Sequence, residues 1–237
     1  VTATRILIVN ADDFGRTPEI NAGIARAHEQ GIVTAATMMV RWPDAADAAA
    51  YASAHRELSV GLHVDLAEWE YTAYEWRPRY QVIDPDDAEA ARLEVAAQLD
   101  AFLTLMGQPP THIDSHQHVH RSEPVRSVVK AAGERLGVPV RDVTPGIRYS
   151  GDFYGQDGRG YPMPELITVD ALLTLLAGLP EGVTELGCHP AVGSVDDVYG
   201  AERQIETATL CDARIRDAIE RFDIELSSFA PLRATDP

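Results

Sequence analysis

Only two cysteines, Cys188 and Cys211, occur in the 237 residues, and there is no CxxC pair. No disulfide framework follows from them. Positive charge is also scarce. Lys and Arg total 20 against 37 Asp and Glu, the formal charge is −17, and Lys130 is the only lysine. Such a field repels phosphate backbones and anionic lipid surfaces, so neither nucleic acid nor a membrane is expected as a partner. No apolar run approaches the roughly 18 residues of a membrane span. Val1 to Arg5 lacks the charged and apolar regions of a leader, and a cytoplasmic location is expected. Repeats, linkers and low-complexity stretches are missing too. At 45% hydrophobic and 24% charged residues, the composition is that of an ordinary globular chain. The expectation is one domain over residues 1–237.

What is present is an alternation of apolar runs and helical periods. Residues 5–10 (RILIVN) read as a buried strand. Thr17 and Pro18 then open a helix that ends at Gly31. Strands are expected at residues 32–40, 58–65, 111–115, 138–143, 183–188 and 224–227. Helices are expected at 43–55, 86–106, 123–136, 169–179 and 201–222. Residues 68–85 and 146–164 read as long loops. Strands alternating with helices imply a parallel sheet with right-handed crossovers. Seven such units in this length predict an α/β fold, a deformed (β/α) barrel of about seven parallel strands, with a doubly wound open sheet as the competing layout.

Asp and His collect where these strands end. Asp12 and Asp13 follow the first strand, and His63 and Asp65 close the third. His112, Asp114, His116, His118 and His120 lie on and after the fourth, and His189 follows the sixth. In parallel βα architectures such ends face one site. Adjacent carboxylates behind a buried strand are costly unless used. One can bind a metal while the other stays free as a base; a helix-capping loop is the plain alternative. DFG within NADDFG does not indicate a kinase, because no glycine-rich phosphate loop or HRD motif accompanies it. The cluster THIDSHQHVH supplies imidazoles suited to Zn, Cu, Fe or Ni, without saying which of them binds. His189 reads as general acid, further ligand or core histidine. Cys188 reads as strand packing, turned away from His189. Loop 68–85 holds Trp69, Tyr71, Tyr74, Trp76 and Tyr80, faces that suit either a sugar or a subunit interface. Arg148, Tyr149 and Tyr154 raise the same question.

LIVNADDFG, GIVTAATMMV, GLHVDL, THIDSHQHVH and ELGCHPA, in this order, resemble the YdjC-like carbohydrate deacetylase family. The resemblance implies a deformed barrel related to the polysaccharide deacetylases and removal of acetyl groups from N-acetylated sugars such as chitooligosaccharides. Some relatives act in hopanoid biosynthesis. It further implies one divalent metal ion, Mg²⁺ or Zn²⁺, on Asp13, His63 and His116, with Asp12 as base and His189 as acid. Two imidazoles favour Zn, Co or Mn over Mg on ligand preference. Asp114 is expected to orient a ligand, and His118, His120 and Arg148 to support it or to touch substrate. Residues 68–85 and 146–165 match no motif, so the acetylated sugar stays unspecified. Another metal-dependent amidohydrolase or phosphoesterase, a metal-free glycosidase and a non-catalytic sugar-binding protein are the alternatives. A homodimer would let the aromatic loop cover a neighbour's site.

Overall fold

A run of β-branched and apolar residues flanked by polar ones makes the first strand, β1 (Arg5–Phe14), and its alternation sets the whole design. Leu7, Val9 and Ala11 face the helices, whereas Ile8 belongs to a separate apolar group on the other face. Asn10 and Asp12 share the face of Ile8, and both are buried. The computed structural model describes residues 4–232; residues 1–3, on which the reading of the N-terminus partly rests, and residues 233–237 lie outside them.

Thr17 accepts a hydrogen bond from the Ile20 N–H and opens α1 (Pro18–Glu29). β2 (Ala35–Met38), α2 (Ala45–Ala54) and β3 (Ser59–Val64) follow. Next come a hairpin of β4 (Ala67–Thr72) and β5 (Glu75–Gln81), then α3 (Ala88–Met106) and β6 (Ile113–Ser115). A 3₁₀ turn (His116–Arg121) leads to α4 (Val125–Leu136) and β7 (Ile147–Ser150). The chain ends through α5 (Val169–Ala177), β8 (Gly182–Cys188), α6 (Gly200–Leu210), α7 (Ala213–Arg221) and β9 (Ile224–Leu226).

The main sheet runs β6-β3-β2-β1-β8-β7, with β9 also on β1. Its seven strands pair in parallel throughout. β8 takes one edge of β1 over residues 5–11, and β9 (residues 5–7) and β2 (residues 10–14) share the other edge in succession. The sheet curls into a half-barrel, as the alternating pattern predicts. Among the described residues no helix is long and apolar enough to cross a membrane.

Three stretches differ from the sequence reading. Residues 68–85 hold an antiparallel hairpin rather than a loop. Pro78 and a tip of Ala73 and Tyr74, both at positive φ, hide the pattern, since such turns usually carry Gly or Asn. Residues 138–143 add only one bridge, Val140 to Ile113, before the chain turns at Asp142 (φ 57°), and the next strand falls at 147–150, inside the second expected loop. The helix expected over 201–222 breaks at Asp212, whose carboxylate caps α7 by accepting from the Arg214 N–H.

At the lower end of the concave face, Phe229 packs against Ile8 and Ala35 and stacks on His112 at 3.7 Å between ring centroids. It plugs the half-barrel beneath the polar residues. Phe229→Ala should lower unfolding stability by about 3–5 kcal/mol in urea titration; a loss below about 1 kcal/mol would show that the plug contributes little.

Candidate active site

Alternation sends Asn10 and Asp12 of β1, Thr37 of β2, His63 of β3, Asp114 of β6 and Glu185 of β8 onto the concave face, where all are buried. Arg141, just past the Val140 bridge, enters among them. Its Nη1 and Nη2 donate to both oxygens of Asp12 at 2.8 and 2.7 Å, and its Nε donates to Glu185 Oε1 at 2.7 Å. Nη2 also lies 2.7 Å from Asp114 Oδ2. The Tyr149 ring covers the guanidinium at 4.6 Å. Burial disfavours charge on Arg141, but the surrounding carboxylates hold its pKa well above the usual arginine value. Three carboxylates against one cation leave negative charge in excess. Burial pushes Glu185 up to about 7, against the pull of Arg141 and with help from Asp114 and Asp12.

Beside this group β1 bulges between Ala11 and Phe14, and Asp13 takes φ 68°. The bulge turns two neighbouring carboxylates to separate tasks. Asp12 meets Arg141, while Asp13 Oδ1 lies 3.1 Å from His116 Nδ1 and 3.4 Å from His63 Nε2. Arg203 of α6 donates to the other Asp13 oxygen. Despite desolvation, Arg203 and His116 hold the Asp13 carboxyl well below its usual range. Asp114 Oδ1 accepts from His63 Nδ1 at 2.6 Å, which points the His63 Nε2 at Asp13. Burial alone would lower His63, but Asp114 and Asp13 raise it to about 10, so positive charge is favoured at this spot.

Ligating atoms of Asp13, His63 and His116 lie within 4.8 Å of one another. The His116 Nε2 is buried and has no hydrogen-bond partner among the described residues. One carboxylate and two imidazoles, one of them fixed by a carboxylate behind it, suit a divalent transition metal. Asp12, His63 and Asp114 form a second such group, but Arg141 already pairs with both of its carboxylates.

His189 follows β8. Its Nε2 is 3.7 Å from Asp12 Oδ2 and its Nδ1 is 3.8 Å from Glu206 Oε1. The His189 backbone N–H donates to Glu206, which also accepts from the Tyr199 hydroxyl. Tyr149 packs over Gly187, where an added Cβ would meet its hydroxyl at 2.7 Å. Cys188 is buried against the helices, as its alternation predicts.

The remaining residues singled out in the sequence divide. Gln117 and His118 both adopt positive φ, so the run after β6 leaves strand alternation. His118 reaches the cleft, 3.4 Å from the Tyr149 hydroxyl, and burial, with Arg141 and Arg121, lowers it to about 2. His120 is buried away from the cleft against Ser115 Oγ at 2.6 Å, lowered by burial to about 4. Arg148 is exposed and does not line the cleft; alternation in β7 gives that place to Tyr149. Arg141, Arg203, Glu206 and Glu185 escaped the sequence reading. Of these, Arg141 and Glu185 are charged residues within runs read as strands, and Arg203 and Glu206 lie on an expected helix.

The site floors a cavity of about 930 Å³. Trp69, Tyr71 and Trp76 of the hairpin line it, facing Tyr149 and Tyr154, while Tyr74 at the tip is 89% exposed. The Gln117 amide clasps the hairpin base, accepting from the Trp69 N–H and donating to its carbonyl, both at 2.8 Å.

Residues 6–221 match the profile of the YdjC-like protein family. A carbohydrate deacetylase of Geobacillus stearothermophilus is 33% identical, over 95% of this chain and 97% of its own. One from Vibrio cholerae is 30% identical over 95% and 96%. Among solved structures, an Enterococcus faecalis protein named for cellobiose-phosphate cleavage is 25% identical with a TM-score of 0.78, covering 98% of this chain and all of its own. A family 4 carbohydrate esterase of Streptomyces lividans, solved with acetate, covers both chains fully at 15% identity and a TM-score of 0.57, a likeness of fold.

The charge balance around Arg141 predicts a pH dependence. Glu185 keeps its proton to about 7 in the folded chain against 4.5 as the ordinary value. Its contribution to stability is therefore full below the unfolded value and is lost as pH rises through the folded one. Glu185→Gln should remove that part of the decline between about pH 4.5 and about pH 7, read as urea midpoints. An unchanged slope would rule out Glu185 as its source.

Proposed function

The chain belongs to the YdjC-like protein family, and on that premise we propose that it is a metal-dependent carbohydrate deacetylase that hydrolyses the acetamido group of an N-acetylated sugar. One observation carries the reading. Asp12 and His189, 3.7 Å apart, flank the Asp13, His63 and His116 group on the floor of an aromatic-walled cleft.

Asp13, His63 and His116 would hold the divalent ion, which when bound supplies Lewis-acid polarisation of an acyl carbonyl and acidification of water. Asp12 accepts the proton of the attacking water. Its bidentate pairing with Arg141 fixes both oxygens. His189 gives a proton to the leaving nitrogen, and the C–N bond breaks to yield acetate and a free amino sugar. Glu206 and the edges of Tyr154 and Tyr199 hold the His189 ring in place. Trp69, Tyr71 and Trp76 offer faces for sugar rings beyond the reacting one. The cavity has room for an oligosaccharide, and a chitooligosaccharide fits this reading.

Charge pairing disfavours a phosphoesterase. Of the arginines lining the cleft, Arg16, Arg121 and Arg203 are matched to carboxylates and Arg159 lies over the Tyr71 ring, which leaves three of the four poorly placed to receive a phosphate. A non-catalytic sugar binder has no need of a tethered carboxylate beside a metal group.

Acetate release from a panel of N-acetylated mono- and oligosaccharides tests the proposal. Chelation should abolish release and added Zn²⁺, Co²⁺ or Mn²⁺ should restore it. Asp12→Asn and His189→Gln should each lower kcat by about 10²–10⁴ with metal content kept, whereas Asp13→Ala should lose metal and activity together. Full activity in the chelated protein, or in Asp13→Ala, would overturn the assignment.

A further inference from the structure

A second group of metal-type donors lies outside the cleft, among residues that the proposed reaction does not use. His28 sits in the last turn of α1, His55 caps the end of α2, and Glu57 follows in the turn before β3. None of the three lines the cleft. Their positions fall by the N-terminal ends of β2 and β3, the end opposite Asp12 and His189.

Tyr51 organises the group. Its hydroxyl lies 2.9 Å from His28 Nδ1, 3.2 Å from Glu29 Oε1 and 3.4 Å from the Ala25 carbonyl. The contact to the His28 Nδ1 holds the ring and leaves its Nε2 turned away from Tyr51. The His28 side chain is only 9% exposed, and its Nε2 is directed at Glu57 Oε1, 3.9 Å away. Burial lowers the pKa of His28, which keeps the ring neutral at physiological pH.

His55 stacks on Tyr51 with centroids 4.2 Å apart and planes at 22°, so Tyr51 fixes this ring too. His55 Nδ1 is 3.3 Å from Glu57 Oε1, and its Nε2 is 3.9 Å from Glu29 Oε1. Donor atoms of His28, His55 and Glu57 all fall within 4.8 Å of one another. Ligands at about 2.0–2.1 Å in a tetrahedron stand about 3.3 Å apart. The His55–Glu57 pair already has that spacing, and the exposed Glu57 side chain is free to close the rest.

We propose that His28, His55 and Glu57 form a second metal site, taking a borderline divalent transition cation of the Zn²⁺ type. Two imidazoles and a carboxylate select against Mg²⁺ and Ca²⁺. An ion there ties the end of α1 to the end of α2 and braces the helix layer below the cleft. It takes no part in the chemistry.

The test counts zinc in the full-length protein after dialysis against buffered micromolar Zn²⁺. Glu57→Gln and His55→Ala should each hold about one zinc per chain fewer than the unaltered protein. Asp13→Ala, which removes the cleft ligand, should still hold one, and Asp13→Ala combined with Glu57→Gln should lose it. Zinc should also raise the melting temperature of Asp13→Ala and leave that of the combined variant unmoved. Acetate release should be the same in Glu57→Gln as in the unaltered protein. Equal zinc counts with and without Glu57 and His55 would overturn the second site, whatever the cleft binds.

Discussion

One buried guanidinium holds the concave face together. Arg141 meets carboxylates from three strands, Asp12 on β1, Asp114 on β6 and Glu185 on β8. Placing such charges out of water costs several kcal/mol per ion, and their attraction returns that only when the geometry is good. Here every partner is further tied: Asn10 donates to Asp114 and Glu185, and the Thr37 hydroxyl lies 3.0 Å from Asp114 and 3.4 Å from Asp12. The network thus acts chiefly as a constraint on position. It sets the distance between β1 and β6 across the half-barrel, and with it where Asp12, His63 and His189 stand relative to one another.

Much of this was legible in the sequence for a simple reason. Parallel strands have period two and share one direction, so Asp and His at their C-terminal ends meet whatever the details of the helices. That rule alone groups Asp12, Asp13, His63, Asp65, His112, Asp114, His116, His118, His120 and His189; the family resemblance singles out Asp13, His63 and His116 among them. What escaped was of a different kind. Arg203 and Glu206 sit three residues apart on a helix, where a charged pair is ordinary. The hairpin was masked by Pro78 and a tip without glycine. Arg141 was hidden because the run around it looked like a complete strand, and with 146–164 read as a loop no alternation separated Arg148 from Tyr149. A single residue of register separates a side chain in the cleft from one in solvent.

The cleft joins two parts of unequal firmness. Its floor is the charge network. Its wall is a two-stranded hairpin that the main sheet does not pair with. The Gln117 amide stands in for a missing strand at the hairpin base, and Arg16 pairs with the buried Glu68. Gln117 takes positive φ in the same turn that delivers His116 and His118. Metal-type ligand and substrate wall are therefore set by one piece of backbone, and a change in one is felt by the other.

The sharing of one β1 edge by β2 and β9 has a consequence for how the chain acquires its shape. Two of the three partners of β1, β8 and β9, follow it by some 170 to 220 residues. Pairing across that separation closes long loops and is slow. Until those residues have been made, the central strand of the sheet therefore presents an apolar, unpaired edge, the kind of surface on which chaperones and aggregation compete. The element that anchors the finished fold is the one most exposed while the fold is being made.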